Sequence, residues 1–231
     1  MPTQAASEIT AELDRLYALR DDDAATVFTS VQLIERHARR RALGYDLLWR
    51  LSRARFFLGQ CAADNAADEA RAHHVAGASA GTLAARLVGS KVEGHFWAGV
   101  NLALRAGVES GWHVLPLKLS LALRARTALR RAVRLDAGYH GAGPLRVLAR
   151  LESKLPAPLG SIKRAVENFE RAVTLAPTNT VTRRYFAELL LDLREQDQAR
   201  VHLRAIRDAP PCAHWSYETV RDKHWASSRQ L

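Results

Sequence analysis

Two stretches near the C-terminal end decide the fold: AVENFERAVTLAP at residues 165–177 and ARVHLRAIRDAPP at residues 199–211. Each stretch carries apolar residues and a proline at the same spacing. The corresponding positions are 34 residues apart: Ala165, Phe169, Ala172 and Pro177 in the first stretch, and Ala199, Leu203, Ile206 and Pro211 in the second. This spacing predicts two copies of one structural unit.

The period is typical of the tetratricopeptide repeat, or TPR, which is a pair of packed helices. Small residues let two helices approach closely, a large residue fills the gap between them, and the proline ends the second helix. The same register returns, with more departures, at Ala125, Leu129, Ala132 and Ala137, and Leu48, Leu51 and Ser52 begin a weaker unit. We therefore predict an all-α, right-handed α-solenoid of about four degenerate TPR-like helix pairs, with capping helices at both ends.

The composition favours the same fold class. Hydrophobic residues make up 48% of the 231 residues, and no runs of alternating β-branched residues occur. A chain of this length can bury one large core without help from metals or disulfides. The predicted helices span residues 7–20, 24–42, 45–62, 65–89, 92–108, 114–135, 141–154, 159–175, 179–194, 196–208 and 215–228.

We expect a single domain with three parts. Acidic helices at 1–40 cap the repeats at 41–211, and 212–231 forms a C-terminal capping helix. The two cysteines suggest no disulfide framework. Because no signal peptide, lipobox or membrane span is visible, we expect a cytoplasmic location.

Several segments resemble the TatT family, the TPR-containing components associated with TRAP transporters. They are WRLSRARFFLG at 49–59, EGHFWAGVNLAL at 93–104, PLGSIKRAVENFERAVTLAPTNTVTRRYFAELLLDL at 158–193 and PPCAHWSYETVRDKHWA at 210–226. The resemblance covers residues 40–228 and implies a TPR-like fold. It also implies an accessory protein that helps a transport system handle a small ligand, in a family whose members are usually exported.

The basic charge predicts an anionic partner. The net charge is +10, and arginine greatly outnumbers lysine among the basic residues. Because this charge is spread along the chain, we do not expect the partner to be a nucleic acid. A helical projection places the arginines of 124–134 opposite the apolar face, which predicts a solvated surface, with an anion or acidic-partner patch as the alternative. These arginines are Arg124, Arg126, Arg130, Arg131 and Arg134.

No motif predicts catalysis, a cofactor or a metal. His73 and His74 are adjacent, so on a helix they point in different directions and do not suit one metal ion. The glycines at 77–82 and 141–145 match no phosphate-binding loop, and we expect a close helix crossing at the first and a turn at the second. Asn101 falls where TPR-like helices need a small residue, which predicts a buried amide with hydrogen-bond partners.

The first helices of TPR pairs line a concave groove, and the register projects a partner-binding surface there. Its candidate residues are Trp49, Arg53, Phe56, Arg105, Arg146, Arg150, Lys154 and Arg184. Arg146, Arg150 and Lys154 form a basic stripe on one helix face. Glu188 or Asp192 could neutralise this stripe, and then its role would be structural.

Two functions follow as hypotheses. The first is a non-enzymatic scaffold that binds a protein or peptide partner, of acidic character, in the groove. The alternative is a TatT-like accessory that binds or passes a small carboxylated or apolar ligand. An enclosed apolar cavity near Trp97 and Trp112 would favour the accessory, and an open groove would favour the scaffold.

Overall fold

The computed structural model describes residues 4–62, 66–109, 112–212 and 215–229, and within these ranges every regular element is a helix. The elements are α1 (Gln4–Ala18), α2 (Ala25–Ala38), α3 (Tyr45–Ala62), α4 (Ala67–Leu87), α5 (Val92–Val108), a 3-10 turn (Trp112–Val114), α6 (Leu115–Leu135), α7 (Tyr139–Lys154), α8 (Ile162–Leu175), α9 (Thr180–Asp192), α10 (Gln196–Arg207) and α11 (Ser216–Ser227). The predicted helices match these to within about one turn. The all-α prediction is confirmed.

The chain forms two compact units, residues 1–135 and 136–231. In the first unit α3 packs on α4, α4 on α5, and α5 on α6. In the second unit α7 packs on α8, α9 packs on α10, and α11 packs against both α9 and α10. None of the described helices combines the length and the apolar character that a bilayer span requires. The sequence-based division, with caps at 1–40 and 212–231, stays a prediction.

Helices α4 and α5 touch through glycine. A Cβ atom on Gly81 would lie 2.6 Å from the backbone nitrogen of Ala98, and one on Gly94 would lie 2.6 Å from the backbone nitrogen of Ala85. Real Cβ atoms do not approach backbone atoms so closely, so each site requires glycine. The close helix crossing predicted for 77–82 is confirmed.

A buried polar network joins α3, α4 and α5. Asn101 is fully buried, and its Nδ2 donates to the carbonyls of Ser52 at 3.0 Å and Trp97 at 2.9 Å. The Ser52 hydroxyl donates to the Gly77 carbonyl at 2.7 Å, and Asn101 Oδ1 lies 3.2 Å from His74 Nδ1. Burial lowers the pKa of His74, because the charged ring would lose its water. The prediction for Asn101 as a buried, hydrogen-bonded amide is confirmed.

The repeat register of the second unit matches its core. Ala165, Phe169 and Ala172 on α8 are 0% exposed. At the equivalent positions on α10, Ala199, Leu203 and Ile206 are at most 1% exposed. The Phe169 ring stacks on Phe186 of α9, with 5.2 Å between the centroids. Equivalent sequence positions therefore perform the same packing role in both copies.

We expect Phe169→Ala to lower the free energy of unfolding by about 3–5 kcal/mol, because it removes buried apolar surface and leaves a cavity. Urea denaturation followed by circular dichroism measures the change. Val201→Ala is the control, because Val201 is 63% exposed on α10 and should cost less than about 0.5 kcal/mol. Similar losses in the two variants would contradict this assignment of the core.

A second prediction concerns the loss of stability at low pH. Burial, and then the charge of Arg183, lower the pKa of His202 from 6.5 to about 4. The unfolded chain therefore takes up the proton first, so His202 reduces stability as the pH falls from 6.5 toward 4. We expect His202→Gln to lose less stability than the wild type over that range, as measured by urea denaturation at each pH. An equal loss of stability at low pH in both proteins would contradict this role of His202.

Candidate functional site

The predicted site residues of the first unit are engaged in internal contacts. Trp49 is 8% exposed. The Cζ atom of the Arg53 guanidinium lies 4.9 Å from the centroid of the Trp49 ring and 3.9 Å from the centroid of the Tyr17 ring. Asp14 accepts from Arg53 at 2.8 Å and from Arg50 at 2.6 Å. Burial raises the pKa of Asp14, but the hydrogen bonds from the two arginines outweigh it and lower the pKa overall. This arrangement stabilises the packing of α1 on α3.

Phe56 and Arg105 belong to two other contact groups. The centroid of the Phe56 ring lies 5.3 Å from the centroid of the Trp97 ring. Trp97 is 1% exposed, and its ring centroid lies 4.8 Å from that of Phe96. Two aromatic rings therefore pack against Trp97. Arg105 pairs with Glu109 at 3.5 Å. The Trp112 side chain, which the accessory hypothesis also uses, lies outside the described residues.

In the second unit, Arg146 is only 5% exposed. Its Nη1 donates to the Gly141 carbonyl at 2.9 Å and to the Thr182 hydroxyl at 3.3 Å. Burial lowers the pKa of Arg146 to about 10, against the raising effect of nearby acidic groups. The prediction that Arg146 stands on an open face is wrong. The cause is a left-handed turn at His140, Gly141 and Ala142, with φ of 52°, 61° and 57°, which brings the Gly141 carbonyl to the guanidinium.

The other members of the predicted stripe have acidic partners on α9. Arg150 pairs with Glu188 at 2.7 Å, and Lys154 pairs with Asp192 at 3.5 Å. Glu188 also accepts from Arg184 at 3.1 Å. Of the two alternatives for the stripe, internal neutralisation therefore holds for Arg150, whose role is structural. Lys154 and Asp192 keep side-chain exposures of 59% and 64%, so their pair is open to solvent and weak.

These side chains line a groove of about 270 Å³ in the second unit, which we call the α9 groove. It is lined by Arg150, Lys154, Glu188, Leu191, Asp192, Trp225 and Arg229. Arg229 lies over the Trp225 ring at 4.3 Å. The groove therefore offers an aromatic surface beside basic groups, and two of the basic groups are already paired.

A larger groove of about 670 Å³ lies in the first unit between α4, α5 and α6, and we call it the α5 groove. It is lined by Thr82, Ala85, Arg86, His95, Ala98, Leu102, Leu123, Arg124, Thr127, Ala128, Arg131 and Arg134. No acidic residue is among them. Sequence reasoning gave the arginines of α6 a solvated surface, with an anion or acidic-partner patch as the alternative, and missed Arg86 and His95. A visible signal was that 115–135 contains no Asp or Glu.

Comparisons with known proteins bear on the fold. The structure is similar to the crystal structure of TTC0263, a thermophilic TPR protein in Thermus thermophilus, with a TM-score of 0.68. The likeness covers 96% of this chain and 99% of that chain at 17% sequence identity. No family model and no curated protein matches the sequence. The chain therefore has a TPR-like helical repeat fold, and the resemblance to the TatT family stays a prediction.

The burial of Arg146 predicts a contrast within one helix. We expect Arg146→Glu to lower the free energy of unfolding by about 3 kcal/mol or more, because it places an unpaired acid inside the protein. Arg150→Glu should cost no more than about 1 kcal/mol, because Arg150 is half-buried and its pair reaches solvent. Urea denaturation of both variants measures the difference. Equal costs would contradict the internal position of Arg146.

Proposed function

We propose that this chain is a non-enzymatic scaffold that binds a segment of a protein partner. The observation that carries the proposal is the α9 groove, where α7, α9 and α11 present basic, acidic and aromatic side chains on one open surface. TPR-like repeats build extended binding surfaces from successive helices, which supports this use. The proposal requires neither a cofactor nor a metal.

The chemistry of the α9 groove favours a partner with an acidic residue beside an apolar one. A carboxylate of the partner would accept hydrogen bonds from Lys154 and Arg229, and it would compete with the exposed carboxylate of Asp192. An apolar side chain would pack on Trp225 and Leu191. Arg150 and Arg184 have closer internal acids, so in this proposal they hold the surface in place.

The open form of the α9 groove supports the scaffold over the TatT-like accessory. An accessory would enclose a small carboxylated or apolar ligand, whereas a protein segment needs a surface that it can reach from outside. The rings of Phe56 and Phe96 pack against Trp97, one of the two tryptophans near which the accessory hypothesis places its cavity. The cytoplasmic location stays a prediction.

The experiment compares a groove variant with a matched control. Lys154→Glu/Arg229→Glu changes the charge of the α9 groove. Arg171→Glu/Arg204→Glu makes the same charge change at exposed positions on α8 and α10. Proteins captured from native extract by the wild type and lost by the groove variant are identified by mass spectrometry. Each is then purified and titrated calorimetrically.

We expect the purified partner to bind the groove variant at least about tenfold more weakly, which corresponds to about 1.4 kcal/mol. The control variant should bind like the wild type. Circular dichroism checks that both variants stay folded. Undiminished binding by a folded groove variant would rule out the α9 groove as the partner site.

A further inference from the structure

The α5 groove has an apolar floor of alanine and leucine side chains. Ala98 and Leu102 on α5 lie at its base and are nearly closed to solvent, at 3% and 4% exposure. Ala85 on α4 and Ala128 on α6 are half-buried and supply the part of the floor that a ligand can reach. The helices on either side form its walls. A ligand in this groove would therefore contact methyl groups at the bottom and longer side chains at the rim.

The rim is basic and uncompensated. Arg86, Arg124 and Arg134 are exposed, and among the described residues none of the three has an acidic partner. Arg131 donates to the Gly89 carbonyl at 3.2 Å, and His95 Nε2 lies 3.1 Å from the same oxygen. A carbonyl positions the Arg131 guanidinium without cancelling its charge, so the positive potential of the rim faces solvent.

The contrast with the α9 groove strengthens the charge argument. There Arg150 and Lys154 of α7 pair with acids on α9, at 2.7 Å and 3.5 Å. Helix α6 has no acid along its whole length, and Arg131 and Arg134, three positions apart on it, repel each other. Because an anionic ligand would relieve this repulsion, the charge of the α5 groove points outward to a partner.

The spacing of the rim fits an extended acidic segment. Positions 123 and 134 on α6 are separated by about 16 Å along the helix, and Arg124 and Arg131 by about 10 Å. Two carboxylates roughly two helical turns apart on a partner helix could reach both guanidinium groups. Apolar side chains between them would lie on the floor. Nucleic acid presents phosphates to the rim but offers the methyl floor no matching apolar face.

We propose that the α5 groove binds an acidic amphipathic helix of a protein partner, with its leucine-type side chains on the floor and its carboxylates on Arg124 and Arg131. This inference rests on the proposed scaffold function but uses a different unit and a different surface. None of the eight candidate residues from the sequence register lines this groove.

The test uses a fluorescein-labelled synthetic peptide of about 14 residues, which spans about 21 Å as a helix. Leucines form one stripe of this peptide, and glutamates flank the stripe. A second peptide has the same composition in an order that scatters the leucines. Fluorescence anisotropy with the full chain measures the Kd of each. We expect the amphipathic peptide to bind at least about tenfold more tightly than the scattered one.

Three variants locate the site. Arg124→Glu/Arg131→Glu reverses the rim charge, and Ala128→Trp fills the floor without changing charge. Arg171→Glu/Arg204→Glu is the control, with an equal charge change on the second unit. We expect each of the first two variants to raise the Kd of the amphipathic peptide at least about tenfold, and the control to leave this Kd unchanged. If the rim variant fails to fold by circular dichroism, Arg86→Glu/Arg124→Glu replaces it, because neither residue bonds to the Gly89 carbonyl.

Other outcomes overturn the proposal. Equal binding of the two peptides, or undiminished binding by folded Ala128→Trp, would show that the floor takes no part. Tighter binding of a short DNA duplex or of anionic phosphatidylserine vesicles, lost in the same rim variant, would assign the groove to a different ligand. These results leave the α9 groove untouched, because the partner assay with Lys154→Glu/Arg229→Glu reports on that groove separately.

Discussion

The backbone contact between α4 and α5 is the constraint on which the first unit depends. Gly81 and Gly94 bring the two helices together so closely that even a methyl group would collide with the opposite backbone. The buried polar network lies beside this contact, and a Cβ atom on Gly77 of α4 would lie 2.5 Å from Asn101 Oδ1 on α5. The Ser52 hydroxyl and the Asn101 amide donate to buried carbonyls there, and losing such a partner inside the protein costs about 1–3 kcal/mol.

The same use of small residues shapes the α5 groove. Alanines from α4, α5 and α6 line the space between these helices together with Leu102 and Leu123, and Ala98 lies at its base. Arginines line the same groove. The second unit is built differently, because pairs such as Arg150 and Glu188 bridge its α9 groove and compensate its charge. The two units therefore present two surfaces of different chemical character.

Much of the fold was predictable from the sequence, since helical periodicity and the repeat register are local patterns. Phe169 and Leu203 are buried as their register predicts, and Glu188 on α9 pairs with Arg150 of the stripe, which was one of the two alternatives for it. The burial of Arg146 could not be predicted, because a helical projection assumes a regular helix, whereas the preceding turn at Gly141 is left-handed. The α5 groove could not be predicted from the sequence for another reason. Its lining comes from three helices between positions 82 and 134, and periodicity within one helix does not reveal which faces of different helices meet.

The most direct test of this account is whether replacing a glycine by alanine raises or lowers the free energy of unfolding. Replacing glycine by alanine inside a helix ordinarily stabilises a protein by about 0.5–1 kcal/mol. Beyond its own helix backbone and chain neighbours, no atom of the described residues would lie within 4 Å of a methyl group added to Gly107 on α5, so Gly107→Ala should raise the free energy of unfolding measured in urea. Gly81→Ala should lower it, because the new methyl group would push α4 away from α5. Stabilisation by both substitutions would contradict the claim that close backbone contact holds the first unit together.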